Sequence, residues 1–506
     1  MKKNLGSISM ISLLALSMVA AGCGKASSTS TPAPAASAAA TTAPKSNEPT
    51  VEIQLMFPGT PQKDVALVEA EANKYLKDKL NVTLKINAVD WGQWDNKLNL
   101  MIASGEPSDI IFTAAWQRYA INVAKGAFLE LGPLIDKDAP DLKKELDPAF
   151  FEGSKINGKN YGIPTNKELA AMRGVVYRKD LAEKYQMDVS KVKTWADLEQ
   201  MLKVIKENEP GITPFAMSAT GNGVFDALDW DSLGDGSIPG VISKVGKSTK
   251  VLNQLETPEY LDIMKLTRAW FKAGYINKDA ATTGADLPKA GKAFMWAEGL
   301  KPGKAAEVES YLGYKIGQID LTVPTITTGD ASGAMLAISK SSKNPDKAMQ
   351  VIGLLHSDKY LNNLINFGIE GKHYVKKSEN VIDVAPGIDP KNHPYNPGAQ
   401  WELGNQFLNY LMANEDPKKW DLFKEFNSKG VKSQGLGFSF DAEPVKSEIA
   451  AVVNISKQYE AAIRTGSVEP EPAIAEYLAK QKAAGVDKII AEKQKQFDAF
   501  LAANKK

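Results

Sequence analysis

Val51, Ile53 and Leu55 alternate with polar residues, the period-two signature of a strand with a buried face. Pro58-Gly59 interrupts the alternation. From Lys63 to Leu80 the apolar positions Val65, Val68, Ala72, Tyr75, Leu76 and Leu80 recur at helical spacing. Val82, Leu84 and Ile86 then return to alternation. Strand, helix and strand in this order predict a parallel right-handed crossover. A second unit follows: a helix through Trp94, Leu98, Met101 and Ile102, then a short strand over Asp109-Ile110-Ile111-Phe112. The first lobe is predicted to be α/β.

The pattern restarts after Tyr161-Gly162-Ile163-Pro164. Val175-Val176-Tyr177 reads as a strand, Thr194 with Asp197 as a helix N-cap box, and Trp195, Leu198, Leu202 and Ile205 as the buried face behind it. Pro214 to Met217, Ala293 to Ala297, Lys315 to Ile319 and Ala334 to Ile338 read as strands. Thr257-Pro258 and Asn344-Pro345 each place proline at the first position of a helix. From Pro444 onward the chain is mostly helical, with Gly466 and Pro470 separating segments. No repeat with a period of 20 to 50 residues is visible.

Composition narrows the class. The chain has 506 residues, 43% hydrophobic and 24% charged, which excludes a disordered, collagenous or disulfide-dense protein. Lys+Arg number 61 against Asp+Glu 60, so no cationic excess is available for nucleic acid. A single cysteine excludes an internal disulfide and a multi-cysteine metal site. That cysteine follows Lys2-Lys3, an apolar run from Ile8 to Val19, and Ala20-Ala21-Gly22. The segment 1–22 reads as a signal peptide, and its end resembles the lipobox of bacterial lipoproteins, in which Cys23 would be acylated and become the new N-terminus. Two or more acyl chains, at about 0.8 kcal/mol per buried CH₂, hold a protein at a membrane. Residues 23–50, rich in Ser, Thr, Ala and Pro, read as a flexible tether.

Catalytic and metal signatures are weak. Gly246-Lys247-Ser248 lacks the spacing and leading strand of a phosphate loop, and Gly234, Gly236 and Gly240 miss the dinucleotide fingerprint. The spacing of Asp229, Asp231 and Asp235 is not that of the usual calcium loop. His356 falls on a helix; His373 and His393 lie in loops without a nucleophile motif. What stands out is aromatic. Of nine tryptophans, Trp94, Trp195 and Trp270 have helical-face company and read as core. Trp91, Trp116, Trp230, Trp296 and Trp401 follow strand ends or sit in loops beside Asp90, Gln117, Asp229, Glu298 and Asn405. Ligands of open α/β sheets bind beyond the carboxyl ends of the strands, and an indole flanked by carboxylates and amides suits a sugar. For each of these five, a place in the core is the competing reading.

Ser104-Gly105-Glu106-Pro107-Ser108-Asp109-Ile110-Ile111 resembles the "SGE-x-PD" segment of the extracellular solute-binding proteins of ABC importers, in the carbohydrate-binding group that includes maltose-binding protein. Lys159 to Pro164, Val176 to Leu181, Lys193-Thr194-Trp195 and Gly291 to Trp296 follow in the family's order. The tail from Gly437 through Tyr459 to Gln494 resembles the C-terminal domain of a Gram-positive lipoprotein subfamily assigned to oligosaccharide uptake. The resemblance implies an α/β, two-lobed, periplasmic-binding-protein-like (type II) fold with hinge crossings and a helical C-terminal region. Crossings are expected near Thr165 to Met172 and Pro324 to Gly333, with a later return after Phe367-Gly368-Ile369-Glu370-Gly371. Lobe 1 is then 51–166 plus 326–371, and lobe 2 is 167–325 plus 372–506, with 437–506 helical.

By position, the resemblance puts Trp116, Trp230 and Trp296 in ligand-contacting loops. Trp91, Trp401, Glu168, Glu298, Glu370 and Asn405 complete the candidate set. Trp296 is followed by Ala297-Glu298-Gly299 instead of the Gly-Pro turn common in the family, and Ser378 to Gln400 is an insert without counterpart in short members. The expected function is a lipid-anchored, monomeric receptor that captures an oligosaccharide between its lobes and delivers it to permease subunits, with no cofactor, metal or catalytic residue of its own. The alternatives are a secreted carbohydrate-active enzyme, a lipoprotein for a non-sugar solute, and an adhesion or sensor protein with a filled cleft. The enzyme would need two facing acids among Glu168, Glu298, Glu370 and Glu402. Arg118, Arg173 and Arg178 are candidate uronate contacts or else surface cations.

Overall fold

The computed structural model describes residues 49–504 except 284 and 285. The expected signal segment and Cys23 lie outside the described residues. A five-stranded sheet runs in the order Val82–Val89, Val51–Pro58, Ile110–Thr113, Met335–Ile338, Ile163–Pro164. Its first three strands are parallel, with Ile53 opposite Leu84 and Leu55 opposite Ile110. Met335–Ile338 lies antiparallel to both of its neighbours. The alternating residues that predicted these strands are the buried ones: Ile53, Leu55, Phe57, Val82, Leu84 and Ile110. The helix Val65–Leu80 makes the crossover, burying Val68, Ala72 and Leu76. Asp90 ends the second strand and caps the next helix, Trp91–Ser104, by accepting from the Gly92 amide at 2.9 Å. That cap puts Trp91 at the carboxyl edge of the sheet.

A second sheet follows the order Ile316–Asp320, Met172–Arg178, Ala293–Leu300, Thr213–Phe215. It buries Val175, Phe215, Phe294 and Met295 against Trp195, Leu198, Leu202 and Trp270. The helix Pro258–Lys272 begins at the predicted cap, Thr257 accepting from the Tyr260 amide. Three segments cross between the sheets. Ala171 and Thr325 exchange backbone hydrogen bonds at 2.8 and 2.9 Å, and Thr325–Ile326 pairs in parallel with Val431–Lys432. Asn427 Oδ1 accepts from the amides of Leu169 (2.7 Å) and Ala170 (3.1 Å). The crossings meet so closely at Gly430 that a Cβ there would stand 2.8 Å from Ile326 and 2.9 Å from Ala170.

The chain does not return after Phe367-Gly371 as expected. Residues 374–412 stay on the helices behind the first sheet. Tyr395 donates to the Ile365 carbonyl at 2.7 Å, the Asn396 amide to Gln62 at 2.7 Å, and the Asn405 side chain to the His356 carbonyl at 3.0 Å. A small three-stranded sheet (Tyr374–Lys376, Val381–Val384, Leu411–Met412) anchors this region through Phe367, Tyr374 and Ile382. The return comes only at Val431–Lys432.

The helices Lys446–Arg464, Pro470–Ala483 and Val486–Asn504 dock on the loops before Pro258–Lys272. Phe438, Val452, Ile489 and Phe497 pack with Leu233, Ile238, Ile242 and Val251. Lys493 is buried in this contact, and its ammonium donates to the carbonyls of Ser232, Ile238 and Gly240, each at 3.1 Å. Three donors meet three acceptors, which is what allows a lysine to lie there. Among the described residues no helix is long and apolar enough to cross a membrane.

Candidate functional site

Three indoles converge at the carboxyl edge of the first sheet. Trp91 comes from the strand-to-helix junction, Trp116 from the turn after Ile110–Thr113, and Trp401 from the late loop region. Their ring centroids stand 6.1 Å (Trp91 to Trp116), 6.3 Å (Trp91 to Trp401) and 6.4 Å (Trp116 to Trp401) apart. Buried Phe112 supports Trp401 edge-on at 5.7 Å and lies tilted against Trp116 at 6.1 Å. The Trp116 Nε1–H donates to the Gly333 carbonyl at 2.8 Å, which fixes its ring. Trp91 is 46% exposed and Trp116 48%. Aromatic area of this size, rigidly held and facing solvent, is a binding surface in waiting.

A cavity of about 450 Å³ opens beside them. Trp91 and Trp401 form one wall; Tyr311, 53% exposed, and Trp420 supply further rings. Between the rings lie Gln400, Gln406, Asn409, Lys304, Glu307, Glu415 and Lys419. This mixture of flat apolar faces and donors and acceptors matches an amphipathic solute. The charged groups are interlocked: Lys419 pairs with Glu415, and Lys304 with Glu307 at 3.2 Å. Behind them Lys301 bridges Glu307 (3.1 Å) and Glu168 (3.3 Å), while Lys304 reaches Glu298 at 3.3 Å. Burial works against the Glu307 carboxylate, but Lys301 and Lys304 outweigh it and hold the group well below the ordinary range. Burial likewise opposes the Lys304 ammonium, and Glu307 and Glu298 overcome it. The wall is therefore ionised and rigid.

A second cavity of about 220 Å³ lies at the crossings, between Ala171–Arg173, Thr322, Val323 and Thr325 on one side and Leu228, Asp229, Lys244 and Val245 on the other. The Arg173 guanidinium lies against Gly299, 2.9 Å from where a Cβ would stand, while Glu298, one residue along the strand, faces the other side of the sheet and holds Lys304.

The structure brings together Trp91, Trp116 and Trp401 of the expected set. Glu298 stands one ion pair behind the larger cavity, and Glu168 lies behind Lys301. Four expectations change. Trp230 stacks on buried Tyr260 at 5.9 Å in the contact with the C-terminal helices, because its strand is only Trp230–Asp231 and turns the ring inward. Trp296 is half-buried on the apolar core, at the register position opposite Val176. Glu370 is exposed and pairs with Lys376 at 2.9 Å. Asn405 is buried and its side chain is consumed, accepting from the Phe407 amide and donating to the His356 carbonyl. None of Glu168, Glu298, Glu370 and Glu402 lines the larger cavity, so no facing acid pair arises from them. Among the described residues no group of His, Cys, Asp or Glu is placed to hold a metal. Sequence reasoning missed Tyr311, Trp420, Lys304 and Glu307; the last two carried a signal, since Lys and Glu three apart share a helix face.

A family model for bacterial extracellular solute-binding proteins matches residues 59–361, more than half of the chain. The chain belongs to that family. It is accordingly an extracellular solute-binding protein and not an enzyme. A domain of unknown function, DUF3502, matches residues 434–502, the C-terminal helical part. A carbohydrate ABC transporter substrate-binding protein of Streptococcus pneumoniae is 34% identical over 86% of this solute-binding protein and 88% of its own length. Lipoprotein LipO of Bacillus subtilis is 25% identical over 71% of this chain and 75% of its own. Among solved structures, the N-glycan transport solute binding protein NgtS of S. pneumoniae is similar at a TM-score of 0.81 and 31% identity, over 91% of this chain and all of that one. Its complex with Man5GlcNAc gives 0.79. The S. pneumoniae protein FusA, solved with kestose and 18% identical, shares the fold at a TM-score of 0.62.

Proposed function

We propose that this solute-binding protein is the lipid-anchored receptor of a carbohydrate ABC importer and captures an oligosaccharide between its two sheets. The observation that carries the reading is the indole cluster of Trp91, Trp116 and Trp401 at the mouth of a cavity lined by amides and ion-paired side chains. Sugar rings present C–H faces to the indoles and hydroxyls to Gln400, Gln406, Asn409 and the fixed charges. A similar pneumococcal protein is seen with Man5GlcNAc, which supports an oligosaccharide of that kind as ligand.

Capture works by hinge closure. The three crossings let the sheets rotate about the backbone pairs at Ala171, Thr325 and Val431, and the ligand shifts the balance only by its differential affinity for the closed form. The closed protein presents surfaces of both sheets to permease subunits, and ATP chemistry resides in the importer. Cys23 is the anchor, acylated at the outer face of the cytoplasmic membrane, with 23–50 as the tether and the protein acting as a monomer.

Calorimetry with Man5GlcNAc and related oligosaccharides tests the reading, with chromatography of the sugar afterwards. One ligand per chain and an unaltered sugar are expected; released products, or no binding across neutral and acidic oligosaccharides, overturn it. For the anchor, Cys23→Ala is expected to abolish fatty-acid labelling and release the protein into the medium.

A further inference from the structure

The cavity at the crossings holds two cations that make no direct ion pair, although Asp330, Asp231 and Asp229 act on Lys244, and Asp226 on Arg173, from farther off. The Arg173 guanidinium and the Lys244 ammonium make no hydrogen bond, and among the described residues no carboxylate lies within the 4.0 Å ion-pairing distance of either. Both are partly buried, and burial pushes the Lys244 ammonium down. Two carboxylates also line the cavity; both oxygens of Asp229 and one of Asp330 are occupied. Asp330 Oδ2 accepts from the backbone amide and hydroxyl of Thr327, at 2.8 and 2.7 Å. Asp229 Oδ1 accepts from the amides of Lys244 (3.1 Å) and Val245 (3.2 Å), and its Oδ2 from Ser243. What remains for an incoming group is the donors of Arg173 and Lys244 and one acceptor, Asp330 Oδ1, which suits a hydroxyl beside the carboxylate. Beside them Val323 and Val245, 56% and 46% exposed, offer bare apolar surface.

We infer that this cavity is an acidic-sugar subsite. It takes a ring whose carboxylate is held between Arg173 and Lys244 and whose apolar side, or N-acyl methyl, rests on Val245 and Val323. Two features support this. The guanidinium donors of half-buried Arg173 have no protein acceptor, and a carboxylate can meet them in bidentate fashion in place of water. The volume of about 220 Å³ suits one sugar ring and not a longer segment. Arg173 stands opposite Gly299 in the second sheet, so the subsite lies on the face of that sheet away from Glu298 and takes a sugar ring of its own. The inference rests on the proposed carbohydrate function and adds a charge preference to it.

The test compares oligosaccharides ending in sialic or glucuronic acid with their neutral counterparts, by calorimetry at low and at high salt. The acidic ligand is expected to bind on the order of tenfold tighter, with the advantage shrinking as salt rises. In Arg173→Gln and, separately, Lys244→Met, the acidic-to-neutral affinity ratio is expected to fall toward one while circular dichroism shows the native fold. Equal affinity for both ligands in the unaltered protein, or a ratio that neither substitution moves, overturns the subsite and leaves the carbohydrate reading intact. No binding of either ligand overturns both.

Discussion

The rings of Trp91 and Trp401 stand 6.3 Å apart with their planes 12° from parallel. A sugar between them would need two van der Waals gaps of roughly 3.5–4 Å each, about 7–8 Å in all. The pair is therefore closed to a sugar, which leaves the outer face of the cluster, where Trp91 is half exposed, as the stacking surface on the proposed reading. Two residues far apart in sequence thus make one platform, Trp401 backing Trp91.

Trp91→Ala is expected to weaken oligosaccharide binding about tenfold or more, since it removes the exposed plate and leaves its backing misaligned. Stability should change by less than about 1 kcal/mol, because the ring is half in water. Calorimetry and thermal unfolding on the same variant read the two effects separately. Unchanged affinity would take Trp91 out of the site.

Trp230→Ala should do the reverse. Its ring stacks on Tyr260 and packs between the helix Pro258–Lys272 and the C-terminal helices, so its loss costs about 2–3 kcal/mol of stability. Affinity measured below the melting transition should stay as it was. A large affinity loss in a fully folded variant would restore Trp230 to the candidate set.

Both outcomes for the tryptophans bear on what the chain reveals unaided. The strands were legible because one face of each is buried and the alternation shows it; Thr257-Pro258 and Asn344-Pro345 marked helix starts through proline's fixed φ. Trp91 and Trp116 were legible as residues that follow strand ends. Trp230 looked the same from its neighbours, yet its partner Tyr260 lies on a later helix, and no local pattern reports such a stack. Residues 374–412 carry no sustained period, being held by single side-chain bonds such as Tyr395 to Ile365, so their attachment to the first sheet was invisible. The ionic wall was half legible: Lys304 and Glu307 share a helix face, but Glu168 comes from a crossing segment.

That wall yields a third prediction. Lys301, its side chain 8% exposed, stands between Glu168 and Glu307. Lys301→Met strands two half-buried carboxylates, although Lys167 and Lys304 remain beside them, and is expected to cost about 2 kcal/mol at pH 7. Both carboxyls are held below their ordinary range in the fold, so their stabilising effect is present above that range and fades as pH falls. The deficit of the variant should therefore shrink on acidification. Urea unfolding at pH 7 and pH 4 measures it; a constant deficit would mean that lost packing, and not charge, is the cause.

His356 lies behind the loop that carries Trp401, its carbonyl bonded to the Asn405 side chain. It lies buried on the helix Pro345–Ser357 with neither ring nitrogen hydrogen-bonded, and burial alone pushes it down to about 3. Above its ordinary value of 6.5 the ring is neutral in folded and unfolded chains alike and adds no pH dependence. Below it, the unfolded chain takes up a proton that the fold refuses, so stability falls as pH drops, by up to about 1.4 kcal/mol per unit, until the pH nears 3. His356→Leu removes that term and leaves every other titrating group in place. Between pH 7 and pH 5 the unaltered protein should lose about 2 kcal/mol more than the variant, read from denaturant unfolding at the two values. Parallel losses would show that the ring takes its proton inside the fold.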